Sequence, residues 1–130
     1  MIIGLRTDSP VTELFLYGDN NTLVGYHSWE AHRTLARDLL AELEKFMRIH
    51  GTEWNEVKGI LVYQGPGSFT GLRIGITVAN AIAYAKHIPI IGVSGEGWQE
   101  IGLAQLARGQ SQQQILPVYG AEPRITSPSK

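Results

Sequence analysis

The sequence predicts an α/β fold, in which a mixed five-stranded sheet is flanked by helices and the elements follow the order βββαβαβα plus a C-terminal tail. Three features of the chain indicate it. The chain opens with short alternating apolar runs between turn residues, continues with a long amphipathic segment, and then alternates apolar strand-like runs with helical ones. Three antiparallel strands followed by right-handed βαβ crossovers build such a sheet.

The first three runs form a predicted antiparallel meander. Strands are expected at Ile2–Arg6, Val11–Tyr17 and 22–27, because apolar and polar residues alternate along them and turn-forming residues separate them. A long helix is then expected over 29–49, with Ser28 as its N-cap and Gly51 just after its end. Its apolar stripe comprises Leu35, Ala36, Leu39, Leu40, Leu43, Phe46 and Met47.

The second half alternates strands and helices. The continuous apolar run 59–64 is typical of a buried central strand, and it is followed by a helix over 69–87 and a strand over 88–93. A weaker helix is expected over 94–107, where three glycines lower the helix propensity. We therefore expect one lobe over 1–109 and a polar joint and tail over 110–130, with 115–119 packed on the lobe.

Composition limits the possible functions. The 130 residues carry a net charge of −1, whereas a chain that grips nucleic acid alone usually has a basic excess. There is no cysteine for a disulfide or a thiolate metal site, no run of about 18 apolar residues, and no secretory signal at the start. We expect a cytoplasmic protein without a membrane span. His32 is interpreted as a surface histidine, because no second ligand stands at metal spacing.

A glycine-rich loop between the fourth strand and the second long helix is the densest motif. Its residues, with the start of the helix, are Gly65, Pro66, Gly67, Ser68, Phe69, Thr70, Gly71, Leu72, Arg73, Ile74 and Gly75. A loop at a helix N-terminus can hold a phosphate, but the lysine of a Walker A loop is missing and Thr70 replaces a dinucleotide-loop glycine. The loop is therefore interpreted either as a phosphate-binding site or as a tight turn capped by Ser68 or Thr70, and the sequence leaves both interpretations open.

The helix after this loop is apolar on nearly two sides. Between residues 74 and 85 the polar side chains are only Thr77, Asn80 and Tyr84. A helix that packs on a sheet needs only one apolar stripe. We therefore expect the second apolar side to be covered by the neighbouring helix and by a partner protein.

The motif closely resembles the signature of the bacterial TsaB (YeaZ) family, whose members are subunits of the machinery that makes threonylcarbamoyladenosine in tRNA. The run 89–94 and the order of elements agree with this resemblance over about residues 1–107. The resemblance implies an actin-like fold on a ribonuclease H-type sheet, normally with two lobes, so we expect a one-lobe minimal version here. Arg6 stands where the family usually has an Asp, which argues against metal and nucleotide binding.

The resemblance also implies a non-catalytic scaffold and dimerisation subunit without a cofactor. It would support the catalytic sister subunit TsaD through the two long helices, with the ATPase subunit TsaE as a further partner, and would meet tRNA only within the complex. In isolation we expect a homodimer. The expected partner contacts are His32, Leu35, Leu39, Leu43, Gly75, Ala79 and Ala83. The alternatives are a small nucleotide- or phosphate-binding enzyme that uses the loop 65–71, and a regulatory homodimer.

Overall fold

The computed structural model describes residues 1–67 and 69–119, without the side chains of His32 and Phe69, so Ser68 and residues 120–130 of the tail lie outside the described residues. The elements are β1 (Ile2–Arg6), β2 (Val11–Tyr17), β3 (Leu23–Glu30), α1 (Leu35–Ile49), β4 (Gly59–Gly65), α2 (Phe69–Lys86), β5 (Ile90–Ser94) and α3 (Trp98–Ala107). This is the predicted order βββαβαβα. Within the described part, no helix has the length and apolarity to cross a membrane.

The five strands form one mixed sheet in the order β3-β2-β1-β4-β5. The first three strands pair antiparallel, and β4 lies parallel between β1 and β5. The continuous apolar run of β4 thus occupies a central position, as predicted. Because β3, β4 and β5 all point the same way, α1 and α2 both return from the end of one strand to the start of the next. The two helices therefore run in the same direction and begin at the same end of the sheet.

Helices cover both faces of the sheet. On one face, the ring of Phe46 in α1 lies 6.2 Å from the ring of His27 in β3, and α2 packs beside α1. On the other face, Trp98 in α3 meets Phe15 at 5.6 Å and Tyr63 at 5.7 Å between ring centroids. Side chains alternate along a strand, so His27, opposite Leu14, and Phe15 point to opposite faces. The core is accordingly two layers, one on each side of the sheet.

The first long helix begins later than the sequence predicted. The strand β3 extends to Glu30 because Trp29 pairs with Thr12 and Glu30 with Val11, so Ser28 lies within the ladder and is not an N-cap. A short 3-10 turn at His32–Thr34 separates the strand from α1. The end of α1 matches the prediction, because Gly51 follows it with a φ of +63°.

The third helix is also shorter than predicted. Gly95 and Gly97 have φ angles of +77° and +71°, which a right-handed helix does not contain, so α3 starts at Trp98 and not at residue 94. The strand before it begins at Ile90, after Pro89. In both corrections the local pattern was compatible with a helix, and the backbone pairing or turn decided otherwise.

The segment after α3 runs back along the outer edge of β5. The N–H of Gln112 donates to the carbonyl of Ile90 at 2.7 Å, and the N–H of Gly92 donates to Oε1 of Gln112 at 2.7 Å. Further on, the amide of Asn80 in α2 makes two hydrogen bonds of 2.9 Å with the backbone of Ile115. Ile115 is only 1% exposed. The polar joint thus pairs with backbone groups along the edge strand β5, and Asn80 holds the run after it.

Candidate functional site

The glycine loop joins the end of β4 to the start of α2. The hydroxyl of Tyr63 donates to the carbonyl of Pro66 at 2.9 Å, and Thr7 Oγ1 donates to the carbonyl of Gly71 at 2.8 Å. A Cβ at Gly75 would lie 2.1 Å from Thr7 Oγ1, so α2 comes closer to the end of β1 there than a side chain allows. Two glycines of the motif therefore serve the contact between α2 and β1.

An ion pair occupies the space beside the loop at the end of β1. Arg6 is bidentate to Asp8, with Nε–Oδ1 at 2.7 Å and Nη2–Oδ2 at 3.2 Å, and this hydrogen bonding raises the pKa of Arg6. The guanidinium also lies 3.9 Å from the centroid of the Tyr63 ring. A Cβ at Gly67 would meet Asp8 Cβ at 2.4 Å, so the loop rests directly on this side chain. The carboxylate nearest to the motif loop is therefore already engaged by a cation.

An open cleft of about 710 Å³ lies at the carboxyl ends of β1 and β4, on the α3 face. Arg6, Tyr17, Tyr63 and Trp98 contribute to its walls. The hydroxyl of Tyr17 donates to Gln99 Oε1, and burial raises the pKa of Tyr17. In residues 1–67 and 69–119, no group of three or more His, Asp or Glu side chains is placed to hold a metal ion. The cleft thus offers aromatic faces and a paired guanidinium.

The predicted partner contacts on the two long helices lie inside the molecule. Leu35, Leu39, Leu43, Gly75, Ala79 and Ala83 are all buried, and Ala79 is 2% exposed. They lie on the inner sides of α1 and α2, so these six residues are not exposed to a partner in the described structure. The side chain of His32 lies outside the described residues. Which residues a partner contacts stays a prediction.

The opposite side of α2 is the exposed one. We define the outer face of α2 as Thr77, Ala81, Tyr84 and Ala85, all of which are exposed, with Tyr84 at 86%. On the neighbouring α1, Leu40 is 45% exposed. Sequence reasoning missed this face because Thr77, Ala81 and Ala85 repeat the same four-residue spacing of small residues as Gly75, Ala79 and Ala83. The signal that separates them is that Arg73 and Tyr84 lie on the same side of α2 as Thr77 and Ala81, and a sheet-facing side would not carry them.

The mixed sheet and its flanking helices define an α/β protein of the actin-like class. The solved structure of YeaZ from Pseudomonas aeruginosa superposes with a TM-score of 0.65 and 28% identity, over 72% of this chain and 43% of that one. Its likeness extends to the mixed sheet and the flanking helices.

Residues 21–113 match the model of the family described as "TsaD: tRNA N6-adenosine threonylcarbamoyltransferase", and the chain belongs to this family. The expected resemblance to TsaB (YeaZ) proteins is confirmed by curated relatives. The Escherichia coli protein named "tRNA threonylcarbamoyladenosine biosynthesis protein TsaB" is 30% identical over 93 residues, which are 72% of this chain and 39% of that protein. The Bacillus subtilis protein of the same name is 49% identical over 39 residues, 30% of this chain and 17% of that protein.

Catalytic relatives match as well. The Geobacter sulfurreducens "tRNA N6-adenosine threonylcarbamoyltransferase" is 33% identical over 64 residues, which are 49% of this chain and 19% of that protein. The chain thus spans less than half the length of each of these relatives.

Proposed function

We propose that this protein is a non-catalytic scaffold subunit in the biosynthesis of threonylcarbamoyladenosine in tRNA. It docks on a sister subunit of the TsaD kind through the outer face of α2 and the adjoining side of α1. The family and the names of the relatives support the pathway. The observation that carries the docking role is the exposure of Tyr84 and Leu40 next to small side chains on α2.

The outer face of α2 suits helix packing because of its small residues. Ala81 and Ala85 lie one turn apart and are exposed, and small side chains allow a second helix to approach at the short end of the usual 8–10 Å range. Tyr84 supplies a large ring with a polar tip, a residue type enriched where partners meet. Exposed apolar side chains grouped on one side of a helix commonly mark an interaction site.

The motif loop supports a structural role better than a phosphate-binding one. A phosphate would need the open N–H groups of the loop and a nearby cation. Here the cation at the end of β1, Arg6, is bidentate to Asp8, and Gly67 lies against that aspartate. The small phosphate-binding enzyme considered as an alternative would have to break this pair in order to use Arg6.

Co-purification with the TsaD subunit of the same organism tests the proposal. Ala81→Glu places a charge within the proposed contact, where an unpaired ion costs several kcal/mol, so binding should fall by roughly a hundredfold or more. Ala107→Glu is the matched control, because Ala107 is exposed on α3 at the opposite face of the sheet. Both variants should keep a native circular dichroism spectrum.

Self-association gives a second readout. Without its partner the chain should form a homodimer through the same face, so light scattering should show a dimer for the native chain and a monomer for Ala81→Glu. Ala79→Glu, by contrast, puts a charge into the core and should prevent folding. Native binding by a folded Ala81→Glu variant would refute the proposed surface. Equal loss in Ala107→Glu would show that charge alone disrupts the complex.

A further inference from the structure

A second cavity lies between the starts of α1 and α2, on the face of the sheet away from the large cleft. Its volume is about 200 Å³, comparable to the share of six or seven water molecules at about 30 Å³ each. Ser9, Pro10 and Thr70 are exposed at its opening, whereas Leu35 and Thr12 are buried. The cavity is thus a blind pocket with an open mouth.

Thr12 is the unusual residue of this pocket. It is 1% exposed, and its Oγ1 has no hydrogen-bond partner among the described residues. A buried hydroxyl without a partner costs roughly 1–3 kcal/mol, which is why such groups in native proteins usually bind a water or a ligand. Thr12 lines the cavity, so a bound group there would satisfy the hydroxyl.

The backbone carbonyls around the pocket are already used as acceptors. The carbonyl of Pro10 accepts from the N–H of Ala31 at 3.2 Å, and that of Ala31 accepts from the N–H of Thr34 at 3.0 Å. The carbonyl of Gly71 accepts from Thr7 Oγ1 at 2.8 Å. These three carbonyls are therefore engaged, whereas the hydroxyl of Thr12 still has a hydrogen to donate.

Helix geometry adds further donors of the same kind. Thr70 and Gly71 lie in the first turn of α2, and Leu35 is the first residue of α1. The first N–H groups of a helix have no partner within the helix, and the aligned peptide dipoles make this end favourable for anions. The start of α2 is the end that meets the pocket, because α1 continues directly from the 3-10 turn at His32–Thr34, where the N–H of Thr34 is bonded to the carbonyl of Ala31. The lining residues carry no charged side chain, and their apolar members are Pro10, Ala31, Leu35 and Ile74.

We propose that this pocket binds a small carboxylate with a short aliphatic chain. The carboxylate accepts hydrogen bonds from Thr12 Oγ1 and from first-turn N–H groups, and the aliphatic chain packs against Leu35 and Ile74. This site is separate from the outer face of α2, so it stands or falls independently of the scaffold role.

The experiment is a titration of the isotope-labelled full chain, followed by amide NMR signals. Acetate, propionate and butyrate are the probes in the millimolar range, with sodium chloride at matched ionic strength and propionamide as the neutral counterpart. The signals of Leu35, Thr70 and Gly71 should shift saturably with the carboxylates only. Affinity should rise about three- to fourfold for each added methylene, as expected for burial of one CH₂.

Matched variants then test the role of the hydroxyl. Thr12→Val keeps the shape and removes Oγ1, so affinity should fall roughly ten- to hundredfold, the loss of a hydrogen bond to a charged group. Thr12→Ser retains the hydroxyl and should bind like the native chain, and Thr77→Val is the same exchange on the outer face of α2. Linear shifts without saturation, equal binding of propionamide, or undiminished binding by Thr12→Val would each overturn the proposal. If Thr12→Val fails to fold, the amide and chain-length comparisons on the native chain decide.

Discussion

The ring of Tyr17 lies in β2 beneath α3, buried, with its hydroxyl donating to Gln99 Oε1. Sequence reasoning predicted only that Tyr17 ends an alternating strand. Burial raises the pKa of Tyr17, because the phenolate would lose its hydration in the folded protein. The folded state thus favours the neutral phenol more strongly than the unfolded chain does.

This shift predicts a loss of stability at high pH. The contribution of Tyr17 is fully present below the unfolded pKa of about 10 and declines as the pH rises toward the higher folded value. Urea unfolding across this range should show a steeper fall in the free energy of unfolding for the native chain than for Tyr17→Phe. Tyr84→Phe removes a hydroxyl from an exposed ring and serves as the control. Equal slopes for the native chain and Tyr17→Phe would contradict the assignment.

At the scale of elements, α2 shows how an apolar helix is oriented. Its inner side holds Gly75, Ala79 and Ala83 because the sheet and Thr7 leave little room there. Its polar edge has a definite task, since Asn80 binds the backbone of Ile115. The segment from Gln110 onward, which looked like a polar joint, supplies hydrogen bonds to the edge of β5. Helix and tail therefore stabilise each other.

Removal of this segment should lower the melting temperature. Truncation after Gly109 exposes the site of Ile115, a side chain worth roughly 1.5–3 kcal/mol when fully buried. In the full chain, Asn80→Ala should cost about 1–3 kcal/mol through unpaired backbone groups. In the truncated chain the same substitution should cost little, because its partner is gone, and a double-mutant cycle measures this coupling.

One control variant and two possible results test this coupling between the segment and Asn80. Thr77→Ala, one turn from Asn80 on the exposed side of α2, should change the melting temperature little in either background. A truncated chain that melts like the native one would show that the segment contributes nothing. Additive effects of truncation and Asn80→Ala would show that the two hydrogen bonds do not matter.

At the scale of the whole molecule, the end of the sheet beside the motif loop is where a metal ion and a nucleotide would bind. By resemblance to actin-like proteins, an acidic residue is expected at the end of the first strand. This chain has Arg6 there. The carboxylate of Asp8 is turned toward that arginine in a bidentate pair. The carboxylate of Asp8 is therefore not a free ligand for Mg²⁺.

We accordingly expect no useful affinity for ATP. Calorimetric titration of the full chain with Mg-ATP should give only heats of dilution, and Arg6→Ala, which frees Asp8, is the informative companion. A micromolar, one-to-one isotherm for the native chain would contradict the expectation and favour the alternative of a nucleotide-binding protein. Binding only by Arg6→Ala would support the role of the ion pair.

The sequence alone determined the order of elements, the mixed sheet and the family resemblance. Alternating runs, turn residues and a continuous apolar β4 are local signals, and they depend on the period of strands and helices. The motif from Gly65 to Gly75 was visible for the same reason, because its residues form one continuous stretch of the chain. The end of α1 before Gly51 was also a local matter.

Only the tertiary structure decided which side of each helix faces the sheet and at which residues the elements begin. Trp29 could have begun a helix, but its pairing with Thr12, distant in sequence, kept it in β3. On α2 the two stripes of small residues are alike in composition, and the contact of Gly75 with Thr7 turned one of them inward. The unpaired hydroxyl of Thr12 appears only when three separate segments meet around it. Such long-range contacts leave no periodic mark in the sequence, which is why they needed the folded molecule.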